Sequence, residues 1–410
     1  MRKNDAVPKK KTVFYPLFLL GCICLLSGCT SFPANSSILG NSSDVKATII
    51  VKPTATPDPV KVKAQLLLKG MSLNDKLAQM IMVEFIGSDY AASGLQEMIH
   101  QQHVGSFLYQ DSDNNFDWPN NTVAGASSFS AQATADETIT PMIALDQEGG
   151  TVSKTSAFFG PTPSAEELAQ SGDPQTAYNQ AKTDVSQLKQ LGITANLAPV
   201  VDVGPDTTQY GTRFFSSDPT TVSTYAGSFI KGLQDNGIPG TLKHFPGLGS
   251  SDDVDPHVGL PSVTKSLTDL QNVDFMPYKT LIQQDNPAMI MTTDVRTVAL
   301  DSTLPAELSP KVIDYLRHTL NFNGVIITDG LYMEGLYNGV APTDDQLAQV
   351  SAQAIEAGND IIEGPSTPAQ ITAILTDLTN DIQQGKLSQT QVDASVTRIL
   401  MMKIKYGIIK

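Results

Sequence analysis

Gly240–Pro261 reads GTLKHFPGLGSSDDVDPHVGLP. It opens as a short apolar run of strand length that delivers Lys243 and His244 near its end. It then breaks into a loop of Gly, Ser, Pro and Asp carrying Asp252, Asp253, Asp255 and His257. Two of the five histidines of the chain fall in this one stretch. A strand that ends in charged side chains and passes into a long loop is a pattern of parallel sheets, where functional groups gather at the C-terminal strand ends.

Working outward, the same pattern recurs on both sides. Strand-length apolar runs are predicted at Met80–Phe85, Val104–Tyr109, Met142–Leu145, Ile193–Val203, Thr241–Phe245, Ala288–Val295, Val325–Asp329 and Asp360–Glu363. Amphipathic helical periodicity falls between them, most clearly at Gln175–Gln190, Thr221–Asn236, Pro310–Leu320, Asp344–Ala357 and Pro368–Gln384, with a terminal helix at Leu387–Tyr406. Near-continuous apolar strands alternating with helices imply an α/β fold with a parallel sheet covered by helices. Eight such units predict a closed (β/α)8 TIM-type barrel, one catalytic domain over 60–410. A doubly wound open sheet is the alternative. No Gly-x-Gly-x-x-Gly follows an early strand, so a dinucleotide reading lacks its fingerprint.

The segment before the barrel sets an expected compartment. Residues 1–28 hold five cationic side chains and one carboxylate, then the apolar run Thr12–Leu26, then Leu26-Ser27-Gly28-Cys29. A basic start, a short apolar core and small residues predict a secretory signal. The ending resembles a bacterial lipobox, which implies lipidation of Cys29 and an extracytoplasmic protein held to the cell membrane by that lipid. Cys22, Cys24 and Cys29 are the only cysteines, so the mature domain is expected to have neither disulfide nor thiol chemistry. Residues 29–59, rich in Ser, Thr, Asn and Pro, read as a flexible tether. The formal charge of −15 becomes −19 without residues 1–28, which argues against nucleic acid as a partner.

Charged residues mark six of the predicted strand ends: Asp146, Asp202, Lys243 with His244, Asp294, Asp329 and Glu363. Carboxylates converging with Lys and His point to sugar or phosphate chemistry, or to a metal. His244 and His257 with aspartates are the metal candidates, but no His-x-x-x-His pair accompanies them. No Gly-x-Ser-x-Gly elbow supports a serine hydrolase. Glycoside hydrolysis fits better: Asp329 is aimed by its strand, and Asp255-Pro256-His257 offers a histidine polarised by an aspartate as a proton donor near neutral pH.

At this point KHFPGLGSSDDVDPH resembles the signature of glycoside hydrolase family 3, in its β-N-acetylglucosaminidase branch. Asp146-Gln147-Glu148-Gly149-Gly150, Asn196 to Val203, Arg213-Phe214, Leu308-Ser309-Pro310, Val325 to Met333 and Ser395 to Gly407 follow in the family's order. The resemblance implies a retaining exo-β-N-acetylhexosaminidase acting on terminal N-acetylglucosamine of peptidoglycan fragments or chitin-type oligosaccharides, without metal or cofactor. It implies Asp329 as nucleophile, His257 as acid/base assisted by Asp255, and Asp146, Arg213, Lys243 and His244 on the sugar hydroxyls. In β-glucosidase members the acid is a glutamate from a second domain. About eighty residues follow Asp329, from which no such domain is expected.

Four positions depart from the family pattern. Thr151 replaces an arginine, Leu248 a histidine, Gly330 an aspartate, and Asp294 stands where a histidine is usual, as a further candidate for substrate binding. They leave open another family 3 glycosidase (a β-glucosidase or xylosidase), a glycan-binding lipoprotein, or transfer to phosphate, since a histidine acid/base carries no negative charge to repel it.

Overall fold

The computed structural model describes residues 58–410, apart from 136, 206–209 and 253. The expected signal peptide, Cys29 and all of the expected tether but Asp58 and Pro59 lie outside the described residues.

Eight parallel strands form one sheet: β1 Ile81–Val83, β2 Ser106–Leu108, β3 Met142–Leu145, β4 Ala195–Asn196, β5 Thr241–Phe245, β6 Met289–Thr292, β7 Val325–Gly330 and β8 Ile361–Glu363. Their order is β4-β3-β2-β1-β8-β7-β6-β5. Parallel bridges Asn196–Gly240 and Val200–Lys243 join the two outer strands. The Val201 N–H donates to Lys243 O at 2.7 Å and the Thr241 N–H to Ala198 O at 2.8 Å, so the sheet closes into the expected (β/α)8 barrel. The strands are buried along nearly their whole length, as expected where helices cover one face and barrel side chains fill the other.

The helices begin where local chemistry satisfies their first N–H groups. Thr343 and Gln346 form a capping box before Asp344–Ala357, and Asp218 caps Pro219–Asp235, whose first residue is proline. Asp344–Ala357 stops at Gly358, which takes φ +112°, a conformation that favours glycine. Two stretches depart from expectation, the first for a local reason. The run Ile193–Val203 is a strand only over Ala195–Asn196, because Pro199 cannot donate to a ladder. The stretch Pro310–Leu320 is α-helical to Asp314 and continues as a π-turn over Tyr315–Thr319.

An aromatic cluster packs under β1 and β2. Phe85 stacks on Phe129 at 5.1 Å and meets Tyr109 edge-on at 5.4 Å. Just before β8, buried Asp360 accepts from Arg398 Nη2 at 2.7 Å and from Arg317, tying the last helix, Gln389–Lys405, to the barrel.

Candidate active site

The C-terminal ends of the strands open into a cavity of about 380 Å3. Asp146, Arg213, Lys243, His244, Asp255, His257 and Asp329 all line it. Of the site residues expected from sequence, Asp294 alone does not. It is fully buried, its Oδ2 has no hydrogen-bond partner, and it packs against Gly335, where an added Cβ would come within 2.7 Å of that oxygen. Burial and the neighbouring Asp329 push its carboxyl well above the usual range.

One wall is an ion cluster. Lys243, buried at the centre of β5, has its Nζ 2.5 Å from Asp146 Oδ1 and 2.6 Å from Glu148 Oε1. Arg213 grips the same Glu148 through Nε at 2.8 Å and Nη2 at 2.9 Å. Burial alone would favour neutral groups, but the two cations outweigh it and hold Glu148 far below its ordinary range. His244 turns Nδ1 to Asp202 Oδ2 at 2.7 Å, which seats the ring proton there and leaves Nε2 as an acceptor, 3.4 Å from Arg213 Nη2. Asp202 also accepts from the Leu248 N–H at 2.8 Å, so one carboxylate fixes both the histidine and the loop that follows it.

A second wall is Asp329. Its Oδ2 accepts from Thr293 Oγ1 at 2.8 Å and its Oδ1 from the Gly330 N–H at 3.0 Å. Both oxygens are thereby oriented while the carboxylate still faces the cavity.

The third group stands at the mouth. Asp255 Oδ1 accepts from both the backbone N–H and Nδ1 of His257, at 3.0 and 2.9 Å. Partial burial raises the proton affinity of Asp255, but these donors outweigh it and bring its carboxyl below the ordinary value. The imidazole is 66% exposed, so its Nε2 is free to meet a ligand. The Gly335 N–H donates to Pro256 O at 3.1 Å, anchoring this loop to the turn after β7.

Several residues of the site were missed or left without a role by the sequence reading. Glu148 sits inside a quoted motif, and the signal for its role was its place two residues after Asp146. Asp202 and Glu363 were visible as charged strand ends. Thr293 and Lys154 gave no such signal. Lys154 lines the cavity and pairs with Asp111, so a cation is present although Thr151 replaces the family's arginine. The Gly330 departure has a steric reason: a Cβ there would lie 2.7 Å from the Tyr332 ring and 3.2 Å from Glu363 Oε2. Among the described residues no three His, Cys, Asp or Glu side chains are placed to share a metal ion.

The profile of the Glycosyl hydrolase family 3 N terminal domain matches residues 72–402. Beta-hexosaminidase LpqI of Mycobacterium tuberculosis is 34% identical over 342 residues, covering 80% of this chain and 81% of that protein. The solved structure of M. tuberculosis LpqI superposes with a TM-score of 0.73 at 32% identity, over 85% of this chain and 96% of that one. A glycoside hydrolase family 3 β-N-acetylglucosaminidase from Paenibacillus sp. superposes with a TM-score of 0.74 at 29% identity, over 83% of this chain and 64% of that one. With the family profile matched over residues 72–402 and a relative 34% identical over four fifths of both chains, the chain belongs to glycoside hydrolase family 3.

Proposed function

We propose that this glycoside hydrolase is a retaining exo-β-N-acetylhexosaminidase, removing terminal N-acetylglucosamine from peptidoglycan fragments or chitin-type oligosaccharides. The observation that carries the reading is one cavity with Asp329 on one wall, the Asp255–His257 pair at its mouth and the Asp146–Lys243–Glu148–Arg213 cluster on the other wall. The hexosaminidase names of its relatives support the same substrate class.

In this reading an Asp329 oxygen attacks the anomeric carbon while His257 Nε2 gives its proton to the glycosidic oxygen, and the aglycone leaves as an alcohol. A water then loses a proton to the same Nε2 and attacks the anomeric carbon, freeing Asp329. Asp255 holds the ring throughout and stabilises the imidazolium that exists before the first transfer and is restored by the second, the ring being neutral between them. Lys243, Arg213, Asp146 and His244 offer donors and acceptors converging on the sugar hydroxyls. His244 is already committed at Nδ1, so only Nε2 faces the sugar.

An aryl glycoside panel tests the reading. N-acetylglucosaminide hydrolysis should exceed glucoside and xyloside hydrolysis. Asp329→Ala should lower it by roughly 10³-fold or more, the scale for losing a covalent nucleophile. Full activity in Asp329→Ala would sink the mechanism, and preference for the glucoside would sink the substrate assignment.

A further inference from the structure

Two carboxyls that line no wall of the cavity lie close to Asp329, and the reaction proposed above uses neither. Asp294 follows β6, and Glu307 stands in the short turn Ala306–Leu308. Both are fully buried. Asp294 Oδ2 and both carboxyl oxygens of Glu307 have no hydrogen-bond partner, and no lysine or arginine among the described residues pairs with either side chain. The titratable groups that act on Asp294 are themselves acidic: Asp329 on β7, Asp255 on the loop after β5, and Glu307. Charging a second buried carboxyl here would set like charges together with nothing to balance them. Asp329 alone of Asp294, Glu307 and Asp329 has two donors and an open side, so the charge belongs there. Burial, and then the neighbouring carboxylates, push Asp294 and Glu307 well above the usual range.

Thr293 is where this matters. Its hydroxyl has one proton and two carboxyls in reach, Asp329 Oδ2 at 2.8 Å and Asp294 Oδ1 at 3.4 Å. An ionised Asp294 would compete for that proton, whereas a neutral one is a poorer acceptor than the Asp329 carboxylate. Gly335 packs against the other oxygen of Asp294. A Cβ added there would lie 2.7 Å from Asp294 Oδ2 and 2.6 Å from Pro256 O, so the carboxyl has little room to turn away from Thr293.

We infer that Asp294 is a positioning residue for the nucleophile: by offering no competing anion, it leaves the Thr293 proton to Asp329 Oδ2 and so fixes the carboxylate that attacks. The inference rests on the hydrolase reading and deepens it. It gives the residue that stands where the family usually has histidine a part in the site without contact to the sugar. When Asp294 ionises, the Thr293 hydroxyl is drawn between two anions, Asp329 loses part of its anchor and turnover falls.

The test is the alkaline limb of kcat for a nitrophenyl N-acetylglucosaminide, in short assays started from a neutral stock. Such a substrate needs little protonation, and neutral His257 is the form that acts as base, so loss of the His257 proton does not itself lower turnover. Asp294→Asn, isosteric and without a titrating group, should carry the limb at least about one pH unit higher. Thr293→Val removes the shared hydroxyl and should lower kcat by roughly tenfold or more, with KM within about twofold. Adding Asp294→Asn to it should leave the limb where Thr293→Val alone puts it. A residue that only filled space would not shift the limb. The inference is wrong if Asp294→Asn shows the wild-type pH dependence or is too inactive to assay, if Thr293→Val turns over like the wild type, or if the shift survives without the hydroxyl. Any of these beside an active wild type overturns this inference alone. A wild type that does not hydrolyse the aryl glycoside, or Asp329→Ala with full activity, overturns the hydrolase reading with it.

Discussion

Asp329 is held by two short hydrogen bonds from groups that do not compete with substrate, Thr293 Oγ1 and the Gly330 N–H. His257 is held by one carboxylate oxygen and left open on its other side. The contrast fits the roles we propose for them: a nucleophile gains from fixed orientation, whereas an acid/base must reach a leaving oxygen and then a water. It leads to a prediction at this scale. His257→Ala should slow single-turnover glycosylation steeply for poor leaving groups and only slightly for nitrophenyl ones, which need little protonation. A slope against leaving-group pKa equal to that of the wild type would remove His257 from the acid role. Of the site residues, Lys243, His244 and Asp329 were legible because each sits in or beside a strand whose apolar run identifies it. Thr293 was not, since a threonine after a strand has no signature until the opposite carboxylate is placed beside it. Asp294 was legible as a strand-end charge, but it lies just past β6, where the chain has left the strand and strand alternation no longer sets its direction. Thr293 Oγ1 reaches both Asp329 and Asp294, and Asp294 packs against Gly335 without lining the cavity.

At the scale of elements, the terminal helix Gln389–Lys405 carries a feature its amphipathic pattern does not announce. Lys403 is fully buried, and its Nζ donates to Gln79 Oε1 at 2.8 Å and to Gly105 O at 2.7 Å, neither of which is charged. Burial lowers its pKa from 10.5 to about 7. The group is charged in both folded and unfolded states below that value, and neutral in both above its ordinary value. Between the two the unfolded chain binds more protons, so this lysine makes stability rise with pH from about 7 towards about 10.5. Denaturant titrations across that window should show a rise on the order of a few kcal/mol in the wild type that Lys403→Met abolishes. An unchanged slope in the variant would mean that the ammonium is solvated in the fold. The loops are elements of the same kind. Gly249 lets its backbone approach Val203 so closely that a Cβ would fall 2.1 Å from Val203 O, which explains a small residue in the loop between Lys243-His244 and the His257 pair.

For the whole molecule, no helix among the described residues is long and apolar enough to cross a membrane. Attachment, as we propose it, rests on lipid at Cys29 in the extracytoplasmic compartment. Expressed as the full chain in a bacterium, Cys29→Ser should move the protein from the membrane pellet to the soluble fraction or block its processing, with hydrolysis per folded molecule unchanged. A variant that stays in the pellet and needs detergent for release would point instead to an uncleaved N-terminal anchor. The sequence by itself determined the barrel, because eight apolar runs separated by helical periodicity leave a parallel sheet few ways to bury both faces. It also determined the family, through motifs that stand in order along the chain, and it put Lys243, His244 and Asp329 at strand ends where register fixes their direction, which is the basis for the roles we propose for them. Only the tertiary structure decided which strand-end charges share a cavity, that Glu148 balances Lys243 and Arg213, that Lys154 brings a cation to the cavity although Thr151 carries none, and that Glu84 meets Glu363. Those relations join residues from strands and loops far apart in the chain. Barrel closure and side-chain packing set them, and no local spacing encodes them.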